Sequence, residues 1–153
     1  MSAPSRQIDA RSPRFAAGVT SVVLAVALLT GSGVLVAAQG VVFAVGAFAG
    51  LRHAPYGLLF RAVVAPRLGP VREREPEAPP RFAQLVGLLF AAVGTAGYLL
   101  GVPVLGAVAT GLALVAALLN AVTGFCLGCE MYLLIKRMTT NTGNSLVAER
   151  TTT

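Results

Sequence analysis

The chain is poor in charge, cysteine and histidine, and it has no tryptophan. Only 12% of its 153 residues are charged while 56% are hydrophobic, which is not the makeup of a soluble domain. With one histidine and six acidic residues, it contains no Ser/His/Asp set, no paired carboxylates and no phosphate-cradling glycine loop. Hydrolytic and nucleotide chemistry therefore have no support. The two cysteines, Cys126 and Cys129, are the chain's only thiols.

What the chain has instead is length without charge. Residues 15–51 and 82–129 contain no Asp, Glu, Lys or Arg. These runs of 37 and 48 residues are too long for one bilayer-crossing helix of about 20 residues and suit two each. A cleaved signal peptide would explain the first run only if a polar mature domain followed. Here Ser32 and Gly33 lead directly into more apolar sequence. The pattern predicts an all-α membrane protein of one domain.

The net charge of +6 is placed in a way that excludes nucleic acid as its purpose. Every lysine and arginine precedes the first run, lies between the runs or follows the second. The run midpoints, Gly31 to Gly33 and Gly101 to Pro103, carry none. With a tight turn at each midpoint, all twelve cations fall on one side. The positive-inside rule then puts both termini and the central loop in the cytoplasm of a bacterial inner membrane. A pair of re-entrant hairpins would carry the same charge pattern as four full crossings.

Along the chain, residues 1–14 read as a cytoplasmic arm that begins to order near Ser12. A first hairpin occupies 15–51, with helices at about 15–30 and 34–51 and Gly46/Gly50 at GxxxG spacing, which lets backbones approach in lipid. The linker 52–81 opens with a short interfacial helix from Pro55, a residue suited to a first helical turn. It continues as a solvated stretch around Arg72, Glu73, Arg74 and Glu75. A second hairpin occupies 82–125, with helices at about 82–100 and 103–124 and Gly97/Gly101 again at GxxxG spacing. A second interfacial helix is expected at about 129–137, and residues 138–153 read as a disordered tail.

Two sequence matches organise these parts as a repeat. Pro13, Arg14, Phe15 and Ala16 recur as Pro80, Arg81, Phe82 and Ala83. Residues 50–56 align with 126–132, ending in Tyr56 and Tyr132 and followed by Leu58/Arg61 and Leu134/Arg137. Each unit is a hairpin plus a short interfacial helix, and two units in one orientation form a parallel repeat. The alignment sets Gly50 opposite Cys126 and His53 opposite Cys129.

Cysteines at i and i+3 can bond to each other or bind a soft metal. At a cytoplasmic membrane surface a static structural disulfide is disfavoured, and a CxxC there is more often redox-active or metal-binding. The thiols would be poor nucleophiles if they closed the fourth helix, whose dipole opposes anions. Gly124 and Gly128 permit a break, which would place the pair before a new helix, where thiolate is favoured. Glu130 is then a candidate capping or proton-handling group. Arg52 and His53 are candidate supporting cations, brought near by the repeat's symmetry. Among the polar residues within the spans, Gln39, Thr110, Asn120 and Thr123, the last two could line a path to the thiols.

The stretches 12–20, 54–61, 79–84 and 124–132 together resemble the bacterial membrane family called domain of unknown function 4395. The resemblance runs over residues 8–137, and the final motif from Gly124 to Tyr132 is intact. Members of that family are often encoded near thioredoxin-like proteins and rhodanese-type sulfurtransferases, which implies sulfur or thiol traffic with a cytosolic partner of that kind. Three functions follow as expectations. Cys126 and Cys129 carry out thiol–disulfide or persulfide transfer; or the chain is a small transporter or channel subunit for a sulfur compound, working as a homo-oligomer; or it is a scaffold that binds metal through paired CxxC motifs across a dimer. No resident cofactor or metal is expected within a single chain.

Overall fold

The computed structural model describes the backbone of residues 6–151 and the side chains of residues 6–143. It is predominantly helical, in the order β1 (Gln7–Asp9), α1 (Arg11–Thr30), α2 (Gly33–Ala44), α3 (Pro55–Leu59), α4 (Ala65–Leu68), β2 (Arg74–Pro76), α5 (Ala78–Leu99), α6 (Pro103–Thr123) and α7 (Leu127–Thr151). Wider π-helical turns extend α2 over Val45–Ala49 and join α3 to α4 over Phe60–Val64.

The helix ends follow local chemistry. Gly31 closes α1 in the left-handed conformation, φ 63°, with its N–H on the Ala27 carbonyl, a geometry that glycine adopts without a Cβ penalty. Ser32 then opens α2 by accepting the Leu35 N–H at 3.3 Å, an ordinary hydroxyl cap. Pro79 and Pro103 stand in the first turns of α5 and α6, where their missing N–H costs nothing.

Four helices form a ring: α1 packs on α6, α6 on α5, α5 on α2, and α2 more lightly on α1. The core packs the small and medium side chains of Leu24, Ala27, Val36 and Ala91 around Phe43. The outer face is as apolar as the core, with Val22, Leu29, Val34, Leu99, Val104 and Val122 exposed. Three helices, Arg11–Thr30, Ala78–Leu99 and Pro103–Thr123, are long and apolar enough to cross a membrane, while the apolar Gly33–Ala49 is shorter. Such a surface fits a multi-pass membrane protein.

The structure moves several boundaries. α1 begins at Arg11 and α5 at Ala78, each four residues before the uncharged run, because helix formation does not wait for the last cation. The second helix is a π turn from Val45, not α-helix to residue 51. The arm and the linker, expected to be irregular, meet as an antiparallel pair with Gln7 opposite Pro76 and Asp9 opposite Arg74. The last helix does not stop near Arg137 but runs to Thr151. Thr139, Thr140 and Thr142 donate their hydroxyls to the carbonyls one turn earlier, so they do not compete with the helix. The rest of the expected disordered tail, residues 152–153, lies outside the described residues, as do residues 1–5 of the arm.

The GxxxG pairs also divide their labour. Gly97 lies so close to α6 that a Cβ would run into the Gly106 backbone, but Gly101 is a turn residue at φ 78°. Gly46 packs on the Gln84 side chain, and Gly50 turns at φ 96°. In each pair only the first glycine makes a helix contact.

Candidate thiol site at the start of α7

Gly124 ends α6 in the left-handed conformation, φ 74°, with its N–H on the Asn120 carbonyl. The Thr123 hydroxyl accepts the Phe125 N–H at 3.1 Å and donates to the Leu119 carbonyl at 2.6 Å. Thr123 is exposed and ties this turn together; it does not extend inward toward the bundle. α7 then starts at Leu127, its first bond running from the Glu130 N–H to the Cys126 carbonyl. Cys126 is therefore the residue that opens α7, and the pair does not close α6.

The Cys126 sulfur accepts the Cys129 N–H at 3.3 Å, the role that serine or aspartate plays in ordinary caps. The two sulfurs are joined in a disulfide across Cα atoms 5.2 Å apart, within the usual span of such bonds. Both cysteines are half-buried. Helix N-termini favour anions through their unpaired N–H groups and dipole. The same N–H that now meets the disulfide sulfur would stabilise a Cys126 thiolate.

Gly128 makes this position possible: a Cβ there would stand 2.6 Å from the Ala83 Cα of α5. Tyr132, one turn on, packs against Phe82 with tilted rings, 5.9 Å between centres. The site is thus anchored on α5 by a glycine and an aromatic pair.

Of the sequence candidates, Cys126, Cys129 and Glu130 come together, with Glu130 exposed in the first turn of α7. Arg52 and His53 are exposed after the second helix: the Arg52 backbone carbonyl accepts from Arg61, and the His53 ring meets the Ala49 carbonyl at 3.0 Å. Arg14 is a cation that stands beside the motif. Its Nη2 donates to the Val122 carbonyl at 3.3 Å and the Ala121 carbonyl at 3.5 Å, and its Nε lies 3.6 Å from where a Gly124 Cβ would stand. The recurrence of Pro13 to Ala16 as Pro80 to Ala83 could have flagged it, since Arg81 likewise donates to the Ala47 and Phe48 carbonyls that end the second helix.

Two further polar features carry no thiol. Glu77 is buried and accepts the Leu51 N–H at 2.8 Å, next to Gly50, the residue aligned with Cys126. In the bundle centre the buried Gln39 donates to Thr20 at 3.3 Å and accepts from Tyr56 at 2.7 Å. That last bond draws α3 inward, and Phe60, buried against Phe15 at 5.7 Å between ring centres, holds it there. The segment expected to lie along the interface is thus packed into the bundle on one side, with Leu58, Leu59 and Val63 exposed on the other. Burial raises the Tyr56 phenol above its ordinary range, so it remains a neutral donor. Among the described residues, no three His, Cys, Asp or Glu side chains are grouped to hold a metal ion.

No curated protein matches the chain, and no solved structure matches it. A family model does, over residues 8–137, from the first strand through the thiol site and into α7. The chain belongs to the family described as domain of unknown function (DUF4395).

Proposed function

We propose that Cys126 and Cys129 form a thiol–disulfide exchange pair serving a cytosolic partner of the thioredoxin-like or sulfurtransferase kind. The observation that carries this is the Cys129 N–H on the Cys126 sulfur at the opening of α7. It supports Cys126 as the nucleophile and Cys129 as the resolving thiol. With the pair reduced, the Cys126 thiolate attacks a partner disulfide; the partner's own S–S bond breaks, and its leaving sulfur takes a proton. Cys129, losing its proton, then attacks the mixed disulfide. The Cys126–Cys129 bond forms and the partner departs as a dithiol, two electrons richer. The reverse sequence oxidises the partner. A rhodanese-type donor would meet the same nucleophile with its outer sulfur.

The pair is proposed to work at the cytoplasmic surface of a bacterial inner membrane, on four crossing helices with both termini inside. The arrangement is read as two hairpins in parallel repeat. The matched packing of α1 on α6 and α5 on α2, with Arg14 and Arg81 on the closing carbonyls, supports it. The second crossing, Gly33–Ala49, is the short one: 17 residues at 1.5 Å each reach about 25 Å, just under a typical core of about 30 Å.

Trapping tests the thiol chemistry. Cys129→Ser leaves the nucleophile without its resolver and is expected to accumulate a reductant-sensitive adduct with a cytosolic protein. Cys126→Ser is expected to trap nothing. If neither variant captures a partner and both retain wild-type function in cells, the exchange role fails.

A further inference from the structure

We propose that Arg14 is a positioning residue for the Cys126 nucleophile: it ties the closing end of α6 and sets a positive charge beside the motif. The inference rests on the thiol-exchange reading and adds a residue that the cysteine motif does not contain. Cys126 stands between two helix ends of opposite character. α7 offers N–H groups and the positive end of its dipole, but α6 has just ended, and its terminal carbonyls present the negative end. A thiolate at Cys126 is favoured by the first and opposed by the second.

Arg14 stands on the opposing side. Its guanidinium spans the Ala121 and Val122 carbonyls, two of those that α6 leaves without a helical partner. It also lies against Gly124, which is two residues, at most about 7 Å of extended chain, before Cys126. The sole salt bridge among the described residues is Arg11 to Asp9, so no carboxylate neutralises Arg14. Gly124 has no side chain to hold the guanidinium off, and its φ of 74° bends the chain so that α7 starts beside the neutralised end of α6. Because Arg14 belongs to α1, the first helix of the chain conditions a site that lies more than a hundred residues later in the sequence.

Arg81 supplies an internal control. It makes the same clamp on Ala47 and Phe48, but the turn it serves leads to Gly50 and not to a cysteine. Arg81 therefore reports what losing such a clamp does where no thiol follows the turn.

The test is the ionisation of Cys126 in the full chain, read by thiolate absorbance and by the pH profile of alkylation in a Cys129→Ser background. Arg14→Gln is expected to raise the thiol pKa by about one unit, the usual effect of removing one nearby opposite charge. Arg14→Lys is expected to recover most of that shift, and Arg81→Gln to leave the pKa unchanged. Equal shifts in Arg14→Gln and Arg81→Gln, or no shift in either, would overturn the assignment. If Arg14→Gln does not fold, the salt dependence of the unsubstituted Cys126 ionisation decides: thiol pKa rising with added salt supports a stabilising cation, and a salt-independent value removes it. These readouts need no partner, so failure here is distinguishable from failure to trap one.

Discussion

Asp9 shows how a single side chain sets the entry to the bundle. Its carboxylate accepts the Arg11 backbone N–H at 3.0 Å and the Arg11 side chain at 2.9–3.3 Å. The Arg11 hydrogen bond holds the Asp9 carboxyl below its ordinary value of 3.8, against a smaller opposing effect of burial. A carboxyl depressed in the folded state stabilises fully above its unfolded pKa, and its contribution is lost as pH falls through the folded value. Asp9→Asn is therefore expected to lower the detergent melting temperature slightly at neutral pH. The variant and wild-type curves should converge as pH falls below about 4, the ordinary aspartate range. Parallel curves down to the most acid point would show that the ion pair contributes nothing. At this scale the sequence was legible where chemistry is rare: two cysteines in one motif announce themselves. It was not legible where residue type is common. The string marks Arg14 only through the recurrence of Pro13 to Ala16 as Pro80 to Ala83, whereas the alignment of the later segments points to Arg52 and His53. Glu77 was equally hidden, because a carboxylate in a charged linker reads as solvated until the fold buries it.

At the scale of elements, the four helices of the ring were visible as absences of charge, and their turns as glycine near serine or proline. Their starts were misplaced because charge marks the edge of the membrane rather than the first hydrogen-bonded turn. The glycines were the subtler case. GxxxG spacing treated Gly97 and Gly101 alike, yet the backbone uses one for contact and the other for a left-handed turn. A methyl on Gly97 would meet the backbone of Leu105 and Gly106, which cannot swing aside as a side chain can. Gly97→Ala is expected to cost about 1–3 kcal/mol, as other overpacked contacts do, measured by denaturant unfolding in micelles. Gly111, helical and with nothing within 4 Å of where a methyl would stand, is the matched control. Gly111→Ala should be neutral or stabilise by up to about 1 kcal/mol. Equal losses at both sites would mean that the α5–α6 approach is looser than the geometry requires. The thiol site depends on the same kind of contact, since Gly128 on Ala83 is what seats the first turn of α7 against α5.

At the scale of the whole molecule, the segments that follow the two long uncharged runs are placed differently. The segment after the first hairpin turns inward through Tyr56 and Phe60. The segment after the second stays outside as α7, resting on α5 through Gly128 and Tyr132. The first segment thus closes the bundle, and the second exposes the turn where the cysteines are. For that division to serve a cytosolic partner, the Gly31 and Gly101 turns must face outward and the Cys126 turn inward. Single cysteines introduced as Ser32→Cys and Val102→Cys, each in a Cys126→Ser, Cys129→Ser background, report on the two outer turns. Both are expected to react with a membrane-impermeant maleimide in intact spheroplasts. The native Cys126, in the Cys129→Ser chain, should react only after lysis. If Ser32→Cys stays protected until lysis while Val102→Cys labels, the short second helix does not complete its crossing and the first hairpin is re-entrant. If Cys126 labels in intact spheroplasts, the orientation is inverted, and the partner must be sought on the opposite face of the membrane, where disulfides persist.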